Sequence, residues 1–145
     1  MAAHHVVAAR GWLGTPYIHQ ASAKGAGCDC LGLVRGIWRE TLGAEPFDMP
    51  AYTSDWSETG KEEVLWEGAK RWLVARDIDF GAAGEILLFR MRASAIAKHL
   101  GIVSGSSDRP TMIHALSERQ VVEVPLTPIW QSRVVAQFAF PERNE

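Results

Sequence analysis

The hydrophobic pattern of the chain changes its period near Gly81–Gly84, and this change strongly limits the folds available to it. Before that point apolar residues recur at the spacing of helices, and after it they form short runs bounded by turn residues. Helices are predicted over Ala2–Arg10, from about Cys30, and over Lys61–Arg76. Strands are predicted over Glu85–Arg90, Lys98–Ser104, Thr111–Leu116, Gln120–Val124 and Val134–Phe140. Helices followed by strands indicate an α+β fold, with the helices packed on one face of an antiparallel sheet of about five strands.

The helix predicted from Cys30 has one well-defined apolar face, made by Cys30, Leu33, Val34, Ile37 and Trp38. Asp29 stands directly before it and is its natural N-cap or first-turn residue. Gly32 and Gly36 lie inside the helix, where each costs about 1 kcal/mol relative to alanine. We therefore expect a close neighbour on that side of the helix, and we expect this neighbour to be the sheet.

Two segments outside the predicted helices and strands are rich in turn residues. A small, polar, glycine-rich loop runs from Gly14 to about Gly27. A second stretch, Gly43–Gly60, is rich in Pro, Gly and Ser and carries Tyr52 and Trp56. We interpret this second stretch as a cover over the domain.

Composition excludes several classes of protein. The 145 residues are 47% hydrophobic, which suits one globular domain over residues 1–145. The formal charge of −2 argues against nucleic acid as a partner. Apolar runs such as Ile86–Phe89 are too short for membrane insertion, and Met1–Arg10 lacks the layout of a signal peptide. We expect synthesis in the cytoplasm without a signal peptide.

The two cysteines, Cys28 and Cys30, are too few for a disulfide scaffold. Cys30 stands at a helix start, a position that lowers the pKa of a thiol and favours a nucleophilic thiolate. Cys28 lies before the helix, in the glycine loop. It could serve packing, act as a resolving thiol, or form half of a metal site with Cys30. The nitrogens of such a site would come from His19, His99 and His114.

Two histidines are predicted on one face of the sheet. The loop Gly105–Pro110 would place Ser104 opposite Thr111, which sets His99 and His114 one diagonal step apart. In this arrangement Cys30 attacks, His99 accepts its proton, and His114 fixes the ring orientation of His99. The backbone N–H of Cys30 would donate to the oxyanion. From the residues alone, a buried core cysteine and structural histidines stay open as the alternative.

Four strings in the chain also match a known family, in the family's order. They are Trp12-Leu-Gly-Thr-Pro-Tyr17, Gly27-Cys-Asp-Cys-Leu-Gly-Leu-Val34, Lys98-His-Leu-Gly-Ile-Val103 and Met112-Ile-His-Ala115. The chain resembles the NlpC-type papain-like cell-wall peptidases, and within them the tail-associated peptidases of phages and gene transfer agents. The resemblance implies a papain-like fold in which the nucleophile helix packs on the antiparallel sheet.

The resemblance also implies a role for individual residues. It makes Cys30 the nucleophile, His99 the base and His114 the orienting residue. Tyr17 would shape the acyl side of the cleft, and Asp29 would help to hold a free amine of the stem peptide.

Two positions depart from the family pattern. His19 replaces a tryptophan and can line the cleft or be a solvated loop residue, and Leu31 replaces a serine that can contact the substrate amine. Both departures fall on the substrate side and leave the catalytic residues in place.

The function implied by the resemblance is hydrolysis of peptidoglycan stem peptides through a thioester, commonly between D-glutamate and the next diamino acid. No cofactor is required. The partners would be the tail hub or tail-tip proteins of a phage-like particle that acts at the target cell wall. Two alternatives stay open: a tail-hub module that binds the wall without cutting it, and a related thiol amidase or acyltransferase.

Overall fold

The computed structural model describes residues 3–46, 63–91 and 97–142. Its helices are α1 (Ala3–Arg10), α2 (Cys30–Leu42), α3 (Val64–Trp72) and α4 (Pro128–Ser132). Its strands are β1 (Ser22–Ala23), β2 (Gly27–Cys28), β3 (Val74–Arg76), β4 (Ile86–Phe89), β5 (His99–Gly105), β6 (Pro110–Ala115), β7 (Val121–Pro125) and β8 (Val134–Ala139). The cover predicted over Gly43–Gly60 lies largely outside the described residues.

The main sheet has six antiparallel strands in the order β3-β8-β4-β5-β6-β7. All five predicted strands are present, and the α+β class is confirmed. The helix predicted over Lys61–Arg76 was wrong at its carboxyl end, because the helix stops at Trp72 and the chain continues as β3. There Val74 pairs with Ala139, so strand β8 supplies hydrogen-bond partners for backbone N–H and C=O groups of β3. In a longer helix these groups would have bonded within the helix.

Helix α2 lies against β5 and β6 through its predicted apolar face. Leu33 and Ile37 are fully buried there, among core residues contributed by the sheet such as Ile102 and Ile113. Burying each such aliphatic side chain contributes about 1.5–3 kcal/mol, so this packing firmly fixes the start of α2 relative to the sheet.

The glycines of α2 face a different neighbour from the one expected. A Cβ at Gly32 would meet the backbone carbonyl of Ala21, and a Cβ at Gly36 would meet the indole of Trp12. A close approach therefore exists, but it is to the segment before α2 and not to the sheet. The helix reaches the sheet through its large side chains instead.

The loop predicted from Gly14 to Gly27 contains the short pair β1–β2 and covers one edge of the main sheet. Gly14 donates to the carbonyl of Val121 over 3.0 Å, and Val121 donates to that of Thr15 over 2.9 Å. Tyr17 donates to the carbonyl of Arg119 over 2.9 Å. These bonds carry Tyr17 alongside β7.

No helix in the described ranges is both long and apolar enough to span a bilayer.

Candidate active site

Cys30 is the first residue of α2, and Asp29 caps this helix as predicted. Oδ1 of Asp29 accepts from the N–H of Gly32 over 2.7 Å, and Oδ2 accepts from the N–H of Gln20 over 2.8 Å. The thiol of Cys30 points towards β5, where Sγ lies 3.9 Å from the carbonyl oxygen of Lys98. The cap therefore fixes the helix start beside the strand that carries His99.

The predicted register of β5 and β6 is confirmed. Ser104 pairs with Thr111 and Ile102 pairs with Ile113, which sets the two histidines on one face. Nε2 of His99 lies 2.8 Å from Nδ1 of His114. If Nε2 of His99 carries the proton of this bond, its Nδ1 is the nitrogen that can accept a proton from a thiol. His114 is thus placed to fix both the orientation and the tautomer of His99.

Aromatic rings surround this histidine pair. Trp130 stacks on His99 with 5.9 Å between ring centroids and meets His114 at 5.3 Å. Phe89 lies 5.6 Å from His99. Burial lowers the pKa of His99 to about 3, with the neighbouring His114 contributing, and burial lowers the pKa of His114 to about 4. Both rings are neutral at pH 7.

The expectation that the helix start lowers the pKa of Cys30 was wrong in its net direction. Burial raises this pKa to about 12, the Asp29 carboxylate adds to the rise, and the backbone N–H groups of Leu100 and Leu31 only oppose it. A lone thiolate and a lone imidazolium are therefore both disfavoured here. The charges can form together, each stabilising the other, when the proton passes from Cys30 to His99.

Cys30, His99 and His114 line one cleft of about 440 Å³, together with Tyr17. Tyr17 is held by a parallel bridge to Cys28. Burial raises the pKa of Tyr17 to about 12, with the sulfurs and Asp29 adding to the rise. Its phenol therefore keeps its proton at neutral pH and can donate a hydrogen bond into the cleft.

The other predicted substrate residues lie differently. Nδ1 of His19 is 3.7 Å from Oδ2 of Asp29. Asp29 is only 3% exposed, and both its oxygens accept from backbone N–H groups, so it caps the helix; its contact with a substrate amine stays a prediction. Leu31 lines a separate apolar groove between α2 and α3, beside Val34 and Trp72. Among described residues, Tyr17 is the predicted substrate residue that lines the cleft of Cys30.

Cys28 is a fully buried free thiol within the hydrophobic core. Burial, followed by the charge of Asp29, raises its pKa to about 12. Within the described ranges no group of three or more His, Cys, Asp or Glu could hold a metal ion. Packing is the role that the contacts of Cys28 support.

Trp130 and Arg133 also line the cleft, and the sequence reasoning missed both. Trp130 belongs to α4 and Arg133 is the residue directly after it; the side chain of Thr127, the N-cap, accepts from the N–H of Trp130, and Pro128 occupies the first turn. A threonine followed by proline is a helix-start signal, so α4 could have been predicted from the sequence. Its position beside His99 could not be predicted, because it depends on where the sheet places the two strands that flank it, β7 beside β6 and β8 beside β4.

Several solved structures have the same fold. The NlpC/p60 domain of the peptidoglycan hydrolase SagA superposes with a TM-score of 0.62 at 18% identity, covering 97% of this chain and 99% of that one. An NlpC/p60 family protein from Bacillus cereus gives a TM-score of 0.63 at 23% identity and 94% coverage of this chain. A protein of the NLP/P60 family from Staphylococcus aureus, described as similar to lipoprotein, gives 0.61 at 14% identity and 98% coverage.

The chain therefore has the papain-like NlpC/p60 fold. It spans 42% of the Staphylococcus aureus chain and 39% of the Bacillus cereus chain. No protein-family model and no curated protein sequence matches it.

Proposed function

We propose that the protein is a cysteine peptidase that hydrolyses peptidoglycan stem peptides, at the bond between D-glutamate and the following diamino acid. The observation that carries this proposal is the 2.8 Å contact between Nε2 of His99 and Nδ1 of His114, in the cleft that Cys30 also lines. The NlpC/p60 fold and the family strings around these residues support the choice of substrate.

The reaction uses this chain's own groups at each step. Nδ1 of His99 takes the thiol proton while Sγ of Cys30 attacks the peptide carbonyl carbon. The backbone N–H of Cys30, at the start of α2, donates to the oxyanion. The tetrahedral intermediate collapses to a thioester, and the leaving amine takes the proton from His99. A water molecule, deprotonated by His99, then attacks the thioester and releases the acid and the free thiol.

Purified peptidoglycan is the test substrate, with the released peptides identified by mass spectrometry. The wild-type protein is expected to release peptides whose free amino end is the diamino acid, and to leave new D-glutamate carboxyl ends on the wall. Cys30→Ala is expected to abolish release, whereas Cys28→Ala is its matched control and keeps it, because Cys28 packs in the core and is not among the residues that line the cleft. Circular dichroism verifies that both variants fold. Persistent cleavage by Cys30→Ala overturns the mechanism.

We propose further that the protein is a component of a phage-tail-like particle, made in the cytoplasm and carried to the target wall by tail hub or tail-tip proteins. This proposal is supported by the resemblance of the strings around Tyr17, Cys30 and His99 to tail-associated peptidases. Particles released by the producing cells are separated on a density gradient and analysed by mass spectrometry. The protein is expected to sediment with tail proteins, and its presence only in the unsedimented fraction contradicts the proposal.

A further inference from the structure

The cleft of Cys30 has a cation on its rim that the proposed mechanism does not use. Arg133 follows α4 directly and lines the cleft with Trp130. We propose that the guanidinium of Arg133, held against the indole of Trp130, binds a carboxylate group of the peptide substrate. This inference rests on the proposed function and narrows its substrate to acidic peptides.

The backbone around Arg133 is fixed from two sides. Its N–H donates to the carbonyl of Trp130 over 3.0 Å, and its carbonyl accepts from the N–H of Arg90 over 2.8 Å. Immediately after it, the pairing of β8 with β4 shifts register, because Phe89 pairs with Val134 while Leu88 pairs with Ala136. Such bulges often re-aim side chains next to active sites.

The side chain of Arg133 is oriented by an aromatic ring that is itself held in place. Its guanidinium carbon lies 5.7 Å from the centroid of the Trp130 ring, a cation–π distance. The indole meets Phe89 at 5.4 Å as well as both histidines. The positive charge therefore stands on the same wall of the cleft as the proposed base, on a support with little freedom to move.

The charges around the cleft favour an anionic ligand. Its described lining includes two cationic residues, Lys98 and Arg133, and no carboxylate. Several arginines are paired with carboxylates within the fold, for example Arg35 with Glu45 and Arg90 with Glu63, whereas no described carboxylate forms a salt bridge with Arg133. A guanidinium is a planar fork of donors that matches a carboxylate.

The alternative is that Arg133 only stabilises the carboxyl end of α4, where a cation is favourable. That role would affect the stability of the protein and would not distinguish one peptide from another. Substrate discrimination is therefore the property that separates the two roles.

The test measures binding by calorimetry to the full chain carrying Cys30→Ala, which leaves the peptide intact. The probes are a synthetic stem tripeptide with free carboxylates and the same tripeptide with those groups amidated. We expect tighter binding of the acidic peptide, by about tenfold or more for one charge-assisted contact. Adding Arg133→Gln is expected to remove this preference and to leave the affinity for the amidated peptide unchanged. Arg109→Gln, on the exposed turn between β5 and β6, is the matched control and keeps the preference.

Three results would overturn the proposed carboxylate site. They are an equal loss of affinity for both peptides on adding Arg133→Gln, equal binding of both peptides to the protein that carries Cys30→Ala alone, and no binding of either peptide. Its failure is distinguishable from failure of the proposed function. If the protein cleaves wall peptides but shows no preference for free carboxylates, only the carboxylate site at Arg133 is rejected. If the preference depends on Arg133 but the wild-type protein cleaves no wall peptide, the proposed peptidase activity is rejected and the carboxylate site is retained.

Discussion

Gly36→Ala and Gly68→Ala form a matched pair that isolates the close approach of α2 to Trp12. Both glycines lie inside helices, so alanine brings the same gain in helix propensity, about 1 kcal/mol. A Cβ at Gly68 would find no described heavy atom within 4 Å. A Cβ at Gly36 would overlap the indole of Trp12. The two variants therefore differ in the steric conflict and not in the backbone gain.

The ring of Trp12 has little room to yield. It is 1% exposed, and its Nε1 donates to Oε2 of Glu40 over 2.8 Å. Overfilling a packed core costs about 1–3 kcal/mol, and the closeness of this overlap places Gly36→Ala at the upper end. Subtracting the propensity gain leaves a net loss of about 2 kcal/mol for Gly36→Ala, against a gain of about 1 kcal/mol for Gly68→Ala.

Urea-induced unfolding followed by circular dichroism measures both free energies of unfolding. The expected separation of about 3 kcal/mol corresponds to about 6–12 °C in Tm for a chain of this size. The denaturant slope should stay the same in both variants, since neither change alters how much surface unfolding exposes. If Gly36→Ala proves as stable as Gly68→Ala, the close approach is not what requires glycine at this position, and the reasoning fails.

Two further stability predictions concern Asp29 and His5. Asp29→Ala removes the acceptor of two backbone N–H groups and should lower the free energy of unfolding by about 2–3 kcal/mol. Asp29→Asn keeps one of the two side-chain oxygens and should lower this free energy by less. Equal losses for the two variants in urea unfolding would contradict the capping role of Asp29. His5 is buried, its Nε2 has no hydrogen-bond partner among the described residues, and burial, with His4 adding, lowers its pKa from 6.5 to about 4. As the pH drops, the unfolded chain protonates His5 at a higher pH than the folded protein does, so the free energy of unfolding should fall between pH 6.5 and pH 4. His5→Phe should reduce that fall by on the order of 2 kcal/mol. Parallel curves of stability against pH for the two proteins would refute this prediction.

The sequence predicted the histidine pair because the pair depends on local information. A short polar loop between two apolar runs sets which residues of the two strands pair. The alternation of side chains along each strand then determines which of them share a face of the sheet. The same locality made the start of α2 predictable, since Asp29 precedes an apolar pattern of helical period.

What the sequence could not predict depends on tertiary neighbours. The glycine pattern of α2 required a close neighbour without saying that it is Trp12 and Ala21. The pKa of Cys30 reflects burial beneath groups from distant segments, which outweighs the local effect of the helix start. Trp130 reaches His99 only because the chain turns back after β7, and no periodicity in the sequence encodes that contact.

The order of strands in the sheet has a consequence for when the site can exist. β8 lies between β3 and β4, so β3 has no partner strand and β4 lacks one of its two neighbours until residues 134–139 have left the ribosome. Arg133 and Trp130 arrive just before this strand, about a hundred residues after Cys30. Pairing over such separations forms late in folding, because a long loop must close before the contacts form. A nascent or truncated chain that ends before Trp130 therefore has the thiol without Trp130 and Arg133, and an incomplete protein lacks a finished cleft.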